Sequence, residues 1–202
     1  MSHWFRGGCY FHAVIDMRVR PRVTRLLEPL GKGLARVGMT ATAMTVLGLV
    51  VVIAGAVVLA AGRLALGGAI VFFGSLLDGL DGAVARATDS VSNRGAFLDA
   101  AFDRLGEIAS FGGLAFASAG DPRVLLLIVL ALGGAMLVPY MRARAEASGV
   151  NGRGGLMGRA ERILLFSVGL MIGQVEPMLW VFVALVWLTA FIRFWNTYRS
   201  IQ

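Results

Sequence analysis

The chain has 202 residues, of which 57% are hydrophobic and only 15% are charged, and its mean hydropathy is +0.76. Soluble domains carry about 25% charged residues, so this composition excludes an ordinary soluble domain and indicates an integral membrane protein. The formal net charge of +7 is therefore attributed to surfaces that face lipid headgroups and ligands, and nucleic-acid binding is a poor interpretation of it. The single cysteine excludes an intrachain disulfide and a cysteine-based metal cluster, and the two histidines disfavour a zinc site.

Residues 1–17 show no informative pattern, so we place a single membrane domain at residues 18–202. Within 18–36, leucines and a valine recur at helical spacing among basic residues, which predicts an amphipathic helix in the headgroup layer. Pro29 should kink or divide this helix. Two interpretations remain open, a basic anchor for anionic lipid and a wall of a lipid-substrate cleft.

The remaining chain predicts an all-α polytopic membrane protein, with six transmembrane helices preceded by the interfacial amphipathic helix. Each membrane-spanning helix needs about 20 mostly apolar residues. The fifth apolar run is short, so its helix must begin within the polar segment "GRAERI". Paired glycines in the spans predict close helix packing. The six predicted spans are 43–62, 65–86, 96–118, 123–142, 160–175 and 177–196.

The distribution of basic residues predicts the orientation in the membrane. Of the 19 lysines and arginines, only Arg63 and Arg123 fall in the loops of one side, which leaves 17 on the other. Because basic residues accumulate on the cytoplasmic side, we expect both termini and the loop 87–95 to face the cytoplasm. The predicted location is the cell membrane.

Four aspartates lie beside the apolar helices, on either side of the turn signals in "TDSVSNRG". Asp78 and Asp81 are three residues apart, and Asp99 and Asp103 are four apart, so each pair shares one helix face. An antiparallel hairpin centred near residue 90 sets Asp81 opposite Asp99 and Asp78 opposite Asp103. Charges at helix ends and Asp-Gly turns are the competing interpretation, but they do not explain this mirrored arrangement.

Carboxylates gathered in so small a volume repel one another unless cations neutralise them. Oxygen-only ligands favour Mg²⁺ or Mn²⁺ over zinc or copper. Two such ions held together can clamp a phosphoryl group during its transfer. The neighbouring Gly82 and Ala85 are small enough for a ligand to approach closely, and Arg86 is placed to bind phosphate.

The stretch has the pattern D-x2-D-G-x2-A-R-x8-G-x3-D-x3-D, which resembles the signature of the CDP-alcohol phosphotransferases at every fixed position. The resemblance implies an enzyme that displaces CMP from CDP-diacylglycerol when an acceptor hydroxyl attacks the phosphorus bearing the lipid. It implies that Asp78, Asp81 and Asp99 are the principal metal ligands, and that Asp103 is a further ligand and the general base. It also implies a CDP site lined by Gly82, Ala85 and Arg86, and a homodimer.

In the first span, "VGMTATAMTVLG" resembles a Thr-Pro-Asn-x-x-Thr stretch of the same family. Thr40 and Thr45 match that stretch, whereas Ala41 and Thr42 replace its proline and asparagine. The resemblance implies that Thr45 contributes to the CDP site. A helix N-cap is an equally good interpretation of Thr40.

Arginines near the predicted cytoplasmic side indicate which acceptor is used. Arginines at a membrane edge are costly and usually face a polar cavity, so we expect an acceptor that itself carries phosphate. The segment "RARAEASG" followed by "GRAER" resembles the actinobacterial phosphatidylinositol phosphate synthases, which implies inositol 1-phosphate as the acceptor. By that resemblance the predicted phosphate ligands are Arg142, Arg159, Arg162 and Arg193.

Two alternative functions remain. Glycerol 3-phosphate could replace inositol 1-phosphate in the same chemistry, which would make the chain a phosphatidylglycerophosphate synthase. More remotely, the carboxylates could form the ion path of a divalent cation transporter. A transport route needs polar groups across the whole membrane, whereas the acidic residues here cluster at one side of the predicted spans.

Overall fold

A computed structural model gives the structure of residues 29–152 and 154–201. Within these ranges every regular element is a helix, as predicted. The predicted amphipathic helix is described only from residue 29 onward, and residues 29–36, here called the N-terminal helical segment, are indeed helical. The N-terminal segment 1–17 and the first part of the amphipathic pattern, 18–28, lie outside the described residues.

Seven further helices follow in chain order. Their bounds agree with the predicted spans to within a few residues, except that the second predicted span is divided in two at residues 79–80. The helices are α1 (Ala41–Ala60), α2 (Leu64–Asp78), α3 (Asp81–Ala87), α4 (Asn93–Ala117), α5 (Pro122–Ala147), α6 (Arg159–Met171) and α7 (Val175–Ser200).

Side-chain caps fix where several of these helices begin. The Thr40 hydroxyl accepts a hydrogen bond from the backbone N–H of Ala43 at 3.1 Å, so the N-cap interpretation of Thr40 is confirmed. Ser92 and Asp121 cap α4 and α5 in the same way. Helix α6 begins at Arg159, inside the polar "GRAERI" segment, as the short apolar run required.

Four of these helices are long and apolar enough to cross a membrane, namely α1, the combined α2 and α3, α5 and α7. The chain is thus an all-helical membrane protein in its described residues. The two other predicted spans do not meet this criterion. Helix α4 carries Asp103, Arg104 and Glu107 within its apolar part, and α6 has only 13 residues.

Glycines let the helices that carry the site approach one another closely. A Cβ atom on Gly48 of α1 would lie 2.6 Å from the Cβ of Asp78, and one on Gly113 of α4 would collide with the backbone of Ala56 in α1. Helix α1 therefore packs directly against both α2 and α4. In contrast, a Cβ on Gly112 or Gly133 would meet open space, so only one glycine of each of these two pairs is a packing point.

The core lies between α4, α5, α6 and α7, where three phenylalanine rings meet. The ring of Phe111 lies 4.8 Å from that of Phe166 and 5.4 Å from that of Phe182. Large apolar side chains such as Val57, Phe116 and Val129 are exposed on the outside. An apolar exterior of this kind suits contact with lipid. The packed interior holds the ends of α2, α4 and α6 together, and these ends carry the site.

Candidate active site

Three of the four predicted aspartates meet between α2 and α4. Asp78 ends α2, and Asp99 and Asp103 lie one turn apart on α4. One carboxylate oxygen from each lies within 4.8 Å of the others. Asp78 is only 4% exposed, so its charge requires a partner. The predicted meeting of Asp78 with Asp103 is confirmed, although α2 and α4 pack chiefly against α1, and Asp81 does not join the group beside Asp99 as the hairpin predicted.

The guanidinium of Arg159 lies among the three carboxylates. Its Nη2 contacts both Asp78 Oδ2 and Asp103 Oδ1, and its Nη1 lies 3.9 Å from Asp99 Oδ1. The cluster is thus neutralised from a third helix, because Arg159 is the first residue of α6. Any metal ion that binds these same oxygens must displace the guanidinium.

Asp81 has different partners from the other three aspartates. Its Oδ2 accepts a hydrogen bond from the hydroxyl of Thr45 at 2.9 Å, and its Oδ1 accepts from the backbone N–H of Gly82. The sequence predicted that Asp81 would continue the helix of Asp78, but the chain leaves that helix at residues 79–80 and Asp81 begins α3. This break alters the direction of Asp81 relative to a continuous helix.

Three of the four residues predicted to line the CDP site lie together on α3. Gly82 and Ala85 are partly buried and Arg86 is exposed, whereas the neighbouring Ala83 and Val84 are buried. Thr45 differs from them, because it is buried on α1 and its hydroxyl is directed at Asp81. In this structure Thr45 is therefore a partner of a carboxylate.

Arg162 does not lie at an open surface, although it was predicted to bind the acceptor phosphate. It is 3% exposed, and its Nε and Nη2 donate to the two carboxylate oxygens of Glu107 at 2.7 and 3.2 Å. Its Nη1 donates to the carbonyl of Met157. A buried guanidinium with a forked carboxylate partner is well satisfied.

The other two predicted phosphate ligands also have partners within the chain. Arg142 is exposed and donates to Glu146 one turn later at 2.8 Å. Arg193 donates from Nε to the carbonyl of Gly154 and from Nη1 to the carbonyl of Val138, both at 2.8 Å. Of the four predicted arginines, only Arg159 contacts the aspartate carboxylates of the cluster.

A cavity lies beside the cluster and extends into the bundle. Its charged part is formed by the carboxylates of Asp78, Asp103 and Glu107 and the guanidinium groups of Arg159 and Arg162, and apolar side chains from five helices form most of the rest. These are chiefly Val52, Val71, Phe111, Phe166 and Phe182. The site thus joins a cluster of charges to an apolar space, which suits a substrate with a charged head and an apolar body.

Sequence reasoning missed Glu107 and Thr189. Glu107 is four residues after Asp103, so helical spacing alone predicts that both lie on one face of α4. Thr189 bonds the backbone of residues 156 and 157. No sequence pattern connects it to that segment, because the contact bridges more than 30 residues.

The donor set fits a hard divalent cation. Three carboxylates offer only oxygen atoms, which suit Mg²⁺ or Mn²⁺ better than softer metals. In this structure the positive charge at these oxygens comes from Arg159, which shows that the cluster is arranged around a cation. Asp81, the first residue of the adjacent helix α3, does not contribute an oxygen to this group.

The fold agrees with comparison to known proteins. The family described as CDP-alcohol phosphatidyltransferase matches residues 38–195. The chain belongs to this family of transferases, which confirms the resemblance read from the aspartate signature. The matched region includes the four signature aspartates, α3 and the four predicted arginines.

Relatives with a similar sequence include enzymes from bacteria and archaea. A phosphatidylinositol phosphate synthase of Mycobacterium marinum is 38% identical over 165 residues, which cover 80% of this chain and 70% of the relative. An archaetidylinositol phosphate synthase of Pyrococcus horikoshii is 31% identical over 186 residues, which cover 92% of this chain and 97% of the relative.

Two solved structures of the Mycobacterium tuberculosis phosphatidylinositol phosphate synthase have a similar fold. The one with CDP-DAG bound superposes with a TM-score of 0.80 at 32% identity, covering 86% of this chain and 94% of the other. The complex with manganese and citrate gives a TM-score of 0.79 at 31% identity, covering 85% and 88%. A divalent metal and a CDP-linked lipid are thus both found on a protein of this fold.

Proposed function

We propose that this enzyme transfers the phosphatidyl group of CDP-diacylglycerol to the hydroxyl of inositol 1-phosphate and releases CMP. The observation that carries the proposal is the meeting of Asp78, Asp99 and Asp103 around a cationic group, beside an apolar cavity. The names of the bacterial and archaeal relatives support inositol phosphate as the acceptor.

The reaction exchanges one phosphorus–oxygen bond for another. The acceptor oxygen forms a bond to the phosphorus that carries diacylglycerol, the bond from that phosphorus to the oxygen of CMP breaks, and the acceptor proton must be removed. Asp103 is proposed as the base that takes this proton. The contact of one of its oxygens with Arg159 favours the ionised form that a base requires, whereas its burial and the like charges of Asp78 and Asp99 oppose that form.

A bound divalent cation would neutralise the diphosphate and the departing CMP. We propose Mg²⁺ as that cation, with Mn²⁺ as an alternative, and Asp78, Asp81, Asp99 and Asp103 as the residues that hold it. A second ion is part of the proposal, because four carboxylates supply enough charge for two. Asp81 would have to turn toward the other three aspartates, because its carboxylate now accepts hydrogen bonds from Thr45 and Gly82.

The CDP end of the donor is proposed to lie on α3. Gly82 and Ala85 offer little side chain, so a nucleotide can approach the backbone there. Arg86 is exposed and positively charged, which suits a phosphate group. Thr45 was predicted at the CDP site, and we now propose that it acts on this site through Asp81.

The acceptor phosphate is proposed to bind through arginine, and Arg159 has the strongest support because it already lies at the carboxylates. If a bound cation took its place at the carboxylates, Arg159 would remain beside the reacting groups with its charge available. The proposal extends to Arg142, Arg162 and Arg193. Each of these would have to exchange its present partner, Glu146, Glu107 or the backbone carbonyls, for the phosphate.

The proposal includes six membrane crossings, a cytoplasmic active site and a homodimer. The placement of basic residues supports the orientation. Helices α4 and α6 would complete the six crossings, with the charged part of α4 lying at the membrane edge. A cytoplasmic site has access to the soluble acceptor.

An acceptor panel tests the proposed function. Purified protein is incubated with CDP-diacylglycerol and Mg²⁺ or Mn²⁺, with one acceptor at a time, and both CMP and the lipid product are measured. The acceptors are inositol 1-phosphate, glycerol 3-phosphate, inositol and serine. We expect product with inositol 1-phosphate alone. Product with glycerol 3-phosphate would establish the alternative acceptor, and no product with any acceptor would refute the proposed transfer.

A further inference from the structure

The hydroxyl of Thr189 makes three hydrogen bonds. Thr189 lies on α7 and is fully buried. Its Oγ1 accepts from the backbone N–H groups of Leu156 and Met157 at 3.2 and 3.0 Å, and donates to the carbonyl of Leu185 at 2.8 Å. A hydroxyl has one proton to donate and two lone pairs, so this side chain is saturated.

The two N–H groups belong to the connection between α5 and α6, which has no regular secondary structure around them. Backbone donors in such a segment need partners from elsewhere. The Thr189 hydroxyl supplies both, and the carbonyl of Gly154 in the same connection accepts from Arg193 Nε at 2.8 Å. Two residues one turn apart on α7 therefore hold the connection.

Glycine makes this close contact possible. Gly155 has a φ of 94°, a conformation that favours glycine, and a Cβ atom there would collide with the Cγ2 methyl of Thr189. Met157, two residues later, is buried, and its carbonyl accepts from Arg162. The path of the backbone is thus fixed from Gly154 to Met157.

The fixed segment ends at the residue that enters the carboxylate cluster. Only Gly158 separates Met157 from Arg159, the first residue of α6, whose guanidinium contacts Asp78 and Asp103. Among its polar contacts, Thr189 itself bonds only backbone groups. Its influence on the site therefore runs through the connection.

We infer that Thr189 is a positioning residue for acceptor binding, because its hydroxyl holds the connection 154–157 in the conformation that presents Arg159 to the reacting groups. The inference rests on the proposed function, in which Arg159 binds the acceptor phosphate. It predicts an effect on the acceptor side of the reaction and little effect on the CDP-linked donor, whose proposed contacts lie on α3.

Thr189→Val removes the hydroxyl and keeps the shape of the side chain, whereas Thr189→Ser keeps the hydroxyl. For Thr189→Val we expect the KM for the acceptor to rise about tenfold, the size expected when a buried hydrogen-bonded group loses its partner. The KM for CDP-diacylglycerol should change less than twofold. Thr189→Ser should restore the acceptor KM to near that of the wild type. Ser167→Ala is the matched control, since Ser167 is also fully buried and its hydroxyl has no hydrogen-bond partner among the described residues.

Gly155→Ala disturbs the same contact from the side of the connection and leaves α7 unchanged. It should reproduce the selective rise in acceptor KM, so the inference stays testable if Thr189→Val fails to fold. Gly133→Ala, at a glycine with open space beside it, is the control for this variant.

Hydrogen exchange gives a second measurement that needs no substrate. Amides of residues 154–157 should exchange at least several-fold faster in Thr189→Val than in the wild type, with unchanged exchange in α1 and α2. The kinetics are measured with whichever acceptor the wild-type enzyme uses. If that acceptor is not inositol 1-phosphate, the proposed function is refuted, and the acceptor KM values of the Thr189 variants still test this inference. An unchanged acceptor KM, or an equal rise in both KM values, would overturn it.

Discussion

At the residue scale, the chemistry depends on carboxylates whose charges are balanced by a neighbouring guanidinium. Asp78 and Asp103 share Arg159, and Glu107 is paired with Arg162 one turn further along α4. The chain therefore places two arginine–carboxylate pairs in sequence from the site toward the core. Such pairs are costly to break one partner at a time.

Asp103→Asn is expected to remove turnover and to preserve binding of CDP-diacylglycerol. The amide cannot take the acceptor proton, so loss of a general base lowers the rate by about 10²- to 10⁴-fold. CMP release and equilibrium binding of the CDP-linked lipid are measured side by side. The control is Asp89→Asn, in the connection between α3 and α4 and outside the cluster. Normal turnover in Asp103→Asn would exclude Asp103 as the base.

Thr45→Val tests the partner of Asp81. The Thr45 hydroxyl has one proton and lies within reach of both Asp81 Oδ2 and the carbonyl of Ala41. Loss of a hydrogen bond that orients a metal ligand lowers metal affinity by about 10- to 100-fold. We expect weaker Mn²⁺ binding in Thr45→Val and near-normal binding in Thr45→Ser. Unchanged Mn²⁺ affinity with a raised KM for the donor would instead favour direct contact between Thr45 and the nucleotide.

At the scale of the elements, the N-terminal helical segment packs against the helix that carries the CDP residues. A Cβ atom on Gly31 would lie 2.7 Å from the backbone carbonyl of Ala83 in α3, whereas one on Gly33 would meet nothing within 4 Å. The segment thus packs on α3 at the buried residue Ala83, next to the residues proposed to bind CDP. The two interpretations of the amphipathic pattern, a lipid anchor and a wall of a substrate cleft, both stay predictions.

Gly31→Ala should raise the KM for CDP-diacylglycerol, because the added methyl group forces the segment away from α3. Overpacking of this kind costs about 1–3 kcal/mol. Gly33→Ala is the matched control, since alanine favours a helix at both positions by about 0.5–1 kcal/mol and clashes only at the first. Donor kinetics and thermal unfolding of both variants are compared. Equal behaviour of the two variants would show that the close contact has no role in donor binding.

The sequence predicted the elements well where periodicity and turn residues agree. The meeting of Asp78 and Asp103 across the turn near residue 90 was expected from the spacing of the aspartates, and both carboxylates contact one arginine. The break at residues 79–80 was not expected, since the apolar pattern continues through Gly79 and Leu80. The break matters because it gives Asp81 a separate helix and a separate partner.

Partners of the arginines were the least predictable part of the site. A sequence shows that Arg162 and Arg193 are costly in an apolar chain, but several kinds of partner satisfy the same charge. Glu107 and the carbonyls of Val138 and Gly154 fill that role here. Such contacts join distant segments, so they depend on tertiary packing and have no local signal.

At the scale of the whole molecule, the account requires the aspartates and the basic residues to share one side of the membrane. Single cysteines in a Cys9→Ser background report this by labelling with a membrane-impermeant maleimide. We expect Ser90→Cys and Ser148→Cys to be labelled only after permeabilisation, and Ala119→Cys to be labelled in intact cells. The reverse pattern would place the site outside the cytoplasm.

The same labelling counts the crossings. Helix α6 lies between Ser148 and Gln174, and it has only 13 residues. If α6 crosses the membrane, Gln174→Cys is labelled in intact cells and Ser148→Cys is not. Labelling of both positions only after permeabilisation would mean that α6 does not cross, and the six-span proposal would then be wrong.

The claim on which the account depends is that Asp78, Asp99 and Asp103 bind a divalent cation together. The most direct measurement is a Mn²⁺ titration of the purified protein, followed by electron paramagnetic resonance, in the wild type and in Asp78→Asn, Asp99→Asn and Asp89→Asn. The account predicts bound Mn²⁺ in the wild type and Asp89→Asn and a loss of at least about tenfold in affinity in the two cluster variants. Wild-type affinity in both cluster variants, or an equal loss in Asp89→Asn, would contradict it.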